Sequence, residues 1–349
     1  MVIRKSAVEL KEIIISIFLE AGVPKKVASR VADHLVNANL IGVDSHGVVR
    51  IPSYITWIKD GTIDPNAKME IIKETDLMVL IDANKSFGQV AAYEASKIAI
   101  KKGKSRGMSL VSAKNSSHIG RLGEYAEEVV KNDLIGLIMA NGQGSGQLVA
   151  PWGGKERRLS ANPMAWGIPT GKEKNPFILD FSTSVVAEGK IIIYKNLNKK
   201  IPEGWVINFK GEPTTNPNDL YGPPKGSILP MAGYKSFGLS MVIDILTGAL
   251  SGGGCSREDI KDVKKFYNSF TIITIDPVQI VDYPDFLKSV NNLIKYVKSS
   301  KPIKENDEIL VPNELENKKK EKNLLNGIEI EDSIWEEILS VAKGLGLTL

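Results

Sequence analysis

Two neighbouring stretches decide the fold class: residues 89–115 read QVAAYEASKIAIKKGKSRGMSLVSAKN, and residues 121–142 read RLGEYAEEVVKNDLIGLIMANG. Each begins as a charged, helix-forming segment and ends as a short apolar run closed by Asn or Gly. Helix, strand, helix and strand therefore alternate along this part of the chain. That order predicts an α/β layer with a partly parallel sheet.

Working outward, further strand patterns add to the same layer. The segments MEIIKET and LMVLIDA, within residues 69–83, predict a β-hairpin. Two more strand candidates are NPFILDF (175–181) and SFTIITID (269–276). Between them a long helix is predicted over residues 235–253, where a glycine run closes it.

Both ends of the chain read as helices. Ser6 and Glu9 have the spacing of a capping box before the first helix, and Pro52 suits the first turn of a third helix. From about residue 285 three polar helices follow. We therefore expect one discontinuous helical domain, residues 1–68 with 303–349, beside a sheet domain of residues 69–302.

Composition narrows the class of protein. The chain has 349 residues, 42% hydrophobic and 25% charged, and a net charge of only +4, which does not favour nucleic acid. Cys255 is the only cysteine, so no intrachain disulfide can form and a zinc site has no support. We identify no signal peptide and no membrane span. The expectation is a cytoplasmic globular protein without a bound metal.

Residues 42–54, GVDSHGVVRIPSY, carry the first candidate site. A continuous helix would put His46, Arg50 and Tyr54 on one face, whereas a helix starting at Pro52 would leave His46 and Arg50 in the entry loop. Arg grips planar carboxylates and imidazole exchanges protons near neutrality, so the set suits a small carboxylic acid. A helix cap with a surface arginine is the alternative.

The second candidate is KNSSHIGRLGEYAEE (114–128), where His118 lies between a strand end and a helix start. Ligands commonly bind at such loops in open α/β sheets. A capping loop with an exposed imidazole is the alternative. His34, within an amphipathic helix, is interpreted as structural.

Three further stretches are less specific. ANGQGSGQ (140–147) is glycine-rich, but no helix follows it, so it is not the dinucleotide-binding fingerprint. Asp180 ends an apolar strand in ILDFSTS and could either orient an imidazole or cap a helix. Lys235, at the start of the glycine-closed helix, could meet a phosphate or carboxylate.

Taken in order, these stretches resemble the type-2 malate/L-lactate dehydrogenase family. Beside those quoted, the matching segments include APWGGKERRLSANPMAWGIPT, GEPTTNP and ILVPNE, and the resemblance runs from about residue 10 to 345. Details such as IPSY and HIGRLGEYAE are most similar to the hydroxycarboxylate dehydrogenase branch.

The resemblance implies a non-Rossmann α/β fold: a mixed central sheet flanked by helices, plus a helical domain built from both chain ends. It implies a homodimer with the active site near the subunit interface. The implied reaction is hydride transfer between NAD or NADP and a small 2-hydroxy/2-oxo acid. A cyclic-imine reductase and a non-catalytic nucleotide-binding protein are the alternatives.

The resemblance also implies residue roles. His46, Arg50 and Tyr54 match substrate-gripping positions, and proton transfer is assigned to the position of His118 or of His46 in different members. We favour His118 for proton transfer, with Asp180 orienting one histidine. The implied cofactor contacts are Gly120, Arg121, Leu122, Asn141, Ile178, Leu179, Asp180, Phe181, Ser182, Thr183, Ser184, Tyr234, Lys235, Pro312, Asn313 and Glu314.

Two positions depart from the family pattern. Tyr234 stands where a histidine is frequent, and Asn313 stands where a glycine is frequent. Both changes concern the cofactor side of the site. They leave the choice between NAD and NADP open.

Overall fold

A computed structural model describes residues 2–171, 175–257, 259, 266–305 and 307–348. The described strands are Val2–Lys5 (β1), Glu70–Glu74 (β2), Met78–Asp82 (β3), Met108–Ser116 (β4), Ile135–Gly144 (β5), Met164–Ile168 (β6), Phe177–Phe181 (β7), Val206–Ile207 (β8), Pro213–Thr214 (β9), Ser227–Ile228 (β10), Phe266–Ile275 (β11) and Ile328–Glu331 (β12). The described α-helices are Ala7–Glu20 (α1), Lys25–Leu40 (α2), Ile51–Lys59 (α3), Gly88–Arg106 (α4), Gly123–Val130 (α5), Glu188–Asn196 (α6), Tyr234–Asp244 (α7), Tyr283–Lys298 (α8), Glu314–Asn326 (α9) and Asp332–Gly344 (α10).

The central sheet has seven strands in the order β2-β3-β4-β11-β5-β6-β7. Only β3 and β4, joined through α4, pair in parallel; the other neighbouring strands pair antiparallel. The predicted mixed α/β sheet and the predicted hairpin are confirmed. Strand β11 enters between β4 and β5, so the two strands of the alternating stretches are not neighbours.

Helices α4 and α5 cover one face of this sheet. Helix α4 buries a stripe of alanines (Ala91, Ala92, Ala95 and Ala99), so its backbone can approach the strands closely. Near its end, a Cβ on Gly103 would overlap the hydroxyl of Thr274 on β11. Large side chains on the sheet are thereby matched by small ones on the helix.

The two chain ends meet in one hydrophobic cluster. Helices α1, α2, α3 and α10 contribute its buried side chains, among them Phe18, Leu35 and Ile338. Strands β1 and β12 pair antiparallel and tie the first residues to the last ones. This pairing was not predicted, and the domain boundaries at residues 68 and 303 stay a prediction.

Three local features differ from the sequence-based expectation. The long helix predicted over 235–253 is α7 followed by a π-helical turn, Ile245–Ala249. A small sheet of β8, β9 and β10 forms a separate core with α6. The predicted capping box is half formed: the Ser6 side chain accepts from the Glu9 amide, while the Glu9 carboxylate pairs with Lys5.

Candidate active site

The entry into α3 holds the first group of site residues. Helix α3 begins at Ile51 with Pro52 in its first turn, and two 3₁₀ turns, Asp44–His46 and Val48–Arg50, precede it. His46 and Arg50 therefore lie in these turns of the entry loop, and of the three residues only Tyr54 lies in the α-helix. The side chain of Asn39 fixes this loop, because it accepts from the Val48 amide and donates to the Asp44 carboxylate.

The loop after β4 brings His118 to the same place. The imidazoles of His118 and His46 stack with centroids 5.4 Å apart and planes inclined by 21°. The loop is fixed on both sides of His118. The Ser117 hydroxyl accepts from the Gly88 amide, and the Asn268 side chain accepts from the Ile119 amide.

A hydrogen-bonded chain sets the tautomer of His118. The Gln89 amide donates to the Tyr54 hydroxyl over 2.7 Å, and that hydroxyl lies 2.8 Å from Nδ1 of His118. With the amide as donor, the hydroxyl is free to donate its own hydrogen to Nδ1. Neutral His118 then carries its proton on Nε2. Burial raises the pKa of Tyr54, which keeps the phenol protonated.

Both imidazoles are neutral near pH 7 in this state. Burial, and then the positive charge of Arg50, lower the pKa of His46 to about 3. Burial and the Arg50 charge also hold the pKa of His118 well below its usual value.

Among the charged groups, Arg50 has the strongest effect on the two imidazoles. Its side chain is half-buried. Its Nε donates to the Ser45 carbonyl over 2.7 Å. Within the described ranges, no carboxylate lies within 4 Å of the Arg50 guanidinium. A cation in that setting is suited to an incoming anion.

Helix α6 closes the site beside Arg50. A Cβ on Gly189 would lie 2.7 Å from Cβ of Ser45 and 3.2 Å from Nη2 of Arg50. The neighbouring Glu188 is half-buried, and burial raises its pKa while the charges of Arg50 and Arg157 oppose that rise. The start of α6 is thus a wall of the site.

Aromatic rings form another wall. Trp57 stacks on Phe266 with centroids 5.7 Å apart and an interplanar angle of 5°, and Phe266 meets His118 edge-on at 5.6 Å. Phe266 begins β11, so this wall joins the helical cluster to the sheet. It provides a flat apolar surface next to the two imidazoles.

The 120–122 loop and the end of β7 lie together. Asp180 accepts from the Gly123 amide over 2.7 Å and lies 3.8 Å from Nε of Arg121, which also pairs with Glu127. No hydrogen bond joins Asp180 to a histidine among the residues described. The described contacts of Asp180 are made by Oδ2 with Gly123 and Arg121, and its role in orienting an imidazole stays a prediction.

Other predicted cofactor positions border the same edge strand. The Asn313 side chain donates to the Pro176 carbonyl, and the Met231 amide donates to the Thr183 carbonyl just before α7. Asn141 is different: it is fully buried in β5, donates to Asp244 and accepts from the Ser269 amide. Its side-chain atoms are occupied by the protein, so the structure gives no support to a cofactor contact there.

A family model described as malate/L-lactate dehydrogenase matches residues 6–339. The chain belongs to this family. The malate dehydrogenase of Pyrococcus horikoshii is 38% identical over 96% of this chain and 93% of its own length. Hydroxycarboxylate dehydrogenase B of Escherichia coli O157:H7 is 34% identical over 99% and 95%. A solved structure of an E. coli malate/lactate dehydrogenase superposes with a TM-score of 0.94 at 33% identity, over 99% of this chain and 96% of that one.

Membership of the malate/L-lactate dehydrogenase family confirms the resemblance read from the ordered motifs. Sequence reasoning missed Gln89 and Glu188, which reach the site from α4 and α6. Gln89 is the first residue of the stretch 89–115 quoted above, but its residue type carried no chemical signal. No described helix is long and apolar enough to cross a bilayer, and no cluster with metal-ligand composition occurs among the described residues.

Proposed function

We propose that this member of the malate/L-lactate dehydrogenase family transfers a hydride between NAD or NADP and a small 2-hydroxy/2-oxo carboxylic acid. One observation carries the proposal. His118, with its Nδ1 bonded to Tyr54, stacks on His46 at the entry loop that also carries Arg50. Proton exchange and anion recognition are thereby combined at one place.

Arg50 would bind the substrate carboxylate. Its guanidinium has a planar fork that matches both carboxylate oxygens, and its contact with the Ser45 carbonyl orients that fork. Fixing the carboxylate also fixes the adjacent C2 carbonyl. Hydride transfer to C2 then becomes effectively unimolecular, because the reacting atoms are already positioned. The aromatic wall of Trp57 and Phe266 would help to exclude water from the same space.

His118 would transfer the proton at Nε2, with His46 orienting the substrate. Reduction of a 2-oxo acid needs a protonated imidazole as the general acid. In the free protein, burial and the charge of Arg50 keep the His118 imidazole neutral. A bound carboxylate opposes the Arg50 charge and so raises the pKa of both histidines. Substrate binding would therefore recruit the proton that the carbonyl oxygen receives.

The residues beside β7 fit a nicotinamide dinucleotide in their chemistry. Helix α7 carries Lys235 in its first turn and no acidic residue there, which suits a phosphate. The residues that would hold the cofactor are Gly120, Arg121 and Leu122, positions 178–184, Tyr234, Lys235 and positions 312–314. When bound, the cofactor supplies the redox chemistry. The protein orients the reactants and supplies the electrostatic environment.

The test is loss of reduced-nicotinamide absorbance with NADH and NADPH in turn. The panel is pyruvate, oxaloacetate, phenylpyruvate, sulfopyruvate and a cyclic imino acid. We expect turnover of at least one 2-oxo acid. Turnover of the imino acid alone would replace the proposal with an imine reductase, and cofactor binding without any turnover would overturn catalysis.

We also propose a cytoplasmic homodimer. Exposed apolar side chains on α7 and α8 support self-association: Met241, Val242, Leu293 and Tyr296. The single cysteine suits a reducing compartment. Sedimentation velocity should give twice the chain mass of 38.1 kDa, and a single-chain mass at micromolar concentration would exclude the dimer.

A further inference from the structure

His34 contacts the active-site loop although it lies in a helix of the terminal cluster. The ring is fully buried in α2. Its Nε2 accepts a hydrogen bond from the Arg121 backbone amide over 2.9 Å, and its Nδ1 lies 2.5 Å from a carboxylate oxygen of Glu124. Because Nε2 is the acceptor, the proton of a neutral ring is on Nδ1, the nitrogen that lies beside Glu124.

The loop backbone is fitted against this ring. Gly120 has a φ of +76°, and a Cβ there would overlap Nε2 of His34. Tyr125 stacks on His34 with centroids 5.8 Å apart, and its hydroxyl donates to the Ile119 carbonyl. His34 and Tyr125 therefore contact each of the three residues that follow His118.

Further contacts fix the orientation of His34 itself. The second oxygen of Glu124 pairs with Arg30 over 2.5 Å, so the carboxylate is held on both sides. Arg30 also lies over the ring of Tyr93 on α4, 4.3 Å from its centroid. The imidazole is thus held between α2 and the start of α5, and it cannot rotate without losing its contacts with the Arg121 amide and the Glu124 carboxylate.

We propose that His34 is a positioning residue that fixes the 119–121 loop through the Arg121 amide and thereby places His118 and Arg121. The inference rests on the proposed function, which gives those two residues their roles. An ordinary core histidine would contribute stability alone. A positioning residue needs an acceptor at the Nε2 position in particular.

Two matched variants separate these roles. In His34→Gln the longer amide reaches the Nε2 position and can still accept from the Arg121 amide. In His34→Asn the shorter amide reaches the Nδ1 position, can donate to Glu124, and leaves the Arg121 amide without an acceptor. We expect His34→Asn to weaken NADH or NADPH binding and to lower kcat by about tenfold or more, and His34→Gln to stay within about threefold of wild type.

Three measurements are made on each variant: dinucleotide Kd by fluorescence, steady-state kcat and KM, and thermal stability. Equal losses in both variants, in proportion to lost stability, would overturn the positioning role. The Kd comparison does not depend on turnover, so it stands even if no 2-oxo acid is reduced. If His34→Asn does not fold, His34→Gln decides alone: it keeps the acceptor, so a loss of dinucleotide affinity well beyond threefold in a folded His34→Gln protein would contradict the inference.

Discussion

Arg50 is half-buried and has one described polar contact, the Ser45 carbonyl. Arg50→Lys keeps the positive charge but loses the planar guanidinium that can bind both carboxylate oxygens. We expect kcat/KM for the 2-oxo acid to fall by about 10- to 100-fold, since a bidentate charged hydrogen bond is worth about 1.5–3 kcal/mol. The matched control is Arg106→Lys, an exposed arginine that pairs with Asp76 at the far end of α4. Full activity in Arg50→Lys would remove the carboxylate role.

The two neutral imidazoles lead to a prediction about pH. The charge of Arg50 lowers the pKa of His46 and His118, so an anion bound to Arg50 must raise both values. Binding should therefore take up a proton, and the KM of the 2-oxo acid should increase as pH rises above the free-protein pKa of His46, which is about 3. Calorimetry with an unreactive 2-oxo acid analogue in buffers of different ionisation heat measures the uptake. Binding without proton uptake and a flat KM would contradict the prediction.

The residues that sequence reasoning found and missed differ in one respect. His46, Arg50 and Tyr54 could be grouped because they lie within nine positions of one another. Gln89 donates to a residue 35 positions away, and Glu188 feels the charge of Arg50 from 138 positions away, so both relations depend on tertiary packing. A glutamine or glutamate on a helix is otherwise an ordinary surface residue.

At the scale of elements, helix α6 restricts the site through Gly189. In Gly189→Ala the new Cβ would lie 2.7 Å from Ser45 and 3.2 Å from the Arg50 guanidinium. We expect the KM of the 2-oxo acid to rise by about tenfold, because a one-methyl clash costs about 1–3 kcal/mol. The dinucleotide Kd should not change.

Gly344→Ala is the control for that variant. It adds the same methyl group at the end of α10, where an added Cβ meets nothing within 4 Å. We expect normal kinetics from it. If Gly189→Ala behaves in the same way, α6 is not a wall of the site.

The sheet illustrates what local patterns can and cannot predict. Strands β3 and β4 with α4 form a local unit, and the alternation in the sequence predicted it. Strand β11 lies more than 120 residues from both of its partners along the chain. Its position between β4 and β5 therefore depends on long-range contacts that local patterns do not reveal. Strands β1 and β12 have only four residues each, too few for a reliable alternation signal.

At the scale of the whole molecule, the neutral imidazoles of His46 and His118 make stability depend on pH. The folded pKa of His46 is about 3 and that of an unfolded histidine is about 6.5, so the unfolded chain binds more protons between these values. Stability should therefore fall as pH falls below 6.5, by roughly 1–2 kcal/mol at pH 5 from His46 alone, and the lowered pKa of His118 acts in the same direction.

Urea unfolding at pH 7 and pH 5 measures that change. The double variant His46→Gln/His118→Gln should lose less stability between the two pH values than the wild type does, because it lacks both imidazoles. Its carboxylates are the same as in the wild type, so they contribute equally in both proteins. Equal losses in the two proteins would show that the imidazoles are already protonated in the folded state at pH 5.

Hydride transfer to C2 is the central claim, and an isotope experiment tests it most directly. The 2-oxo acid that turns over fastest is reduced with nicotinamide cofactor carrying deuterium on the transferred position of C4. The account predicts product 2-hydroxy acid with deuterium at C2, detected by mass spectrometry and proton NMR. Product without deuterium at C2, while the labelled cofactor is consumed, would contradict it.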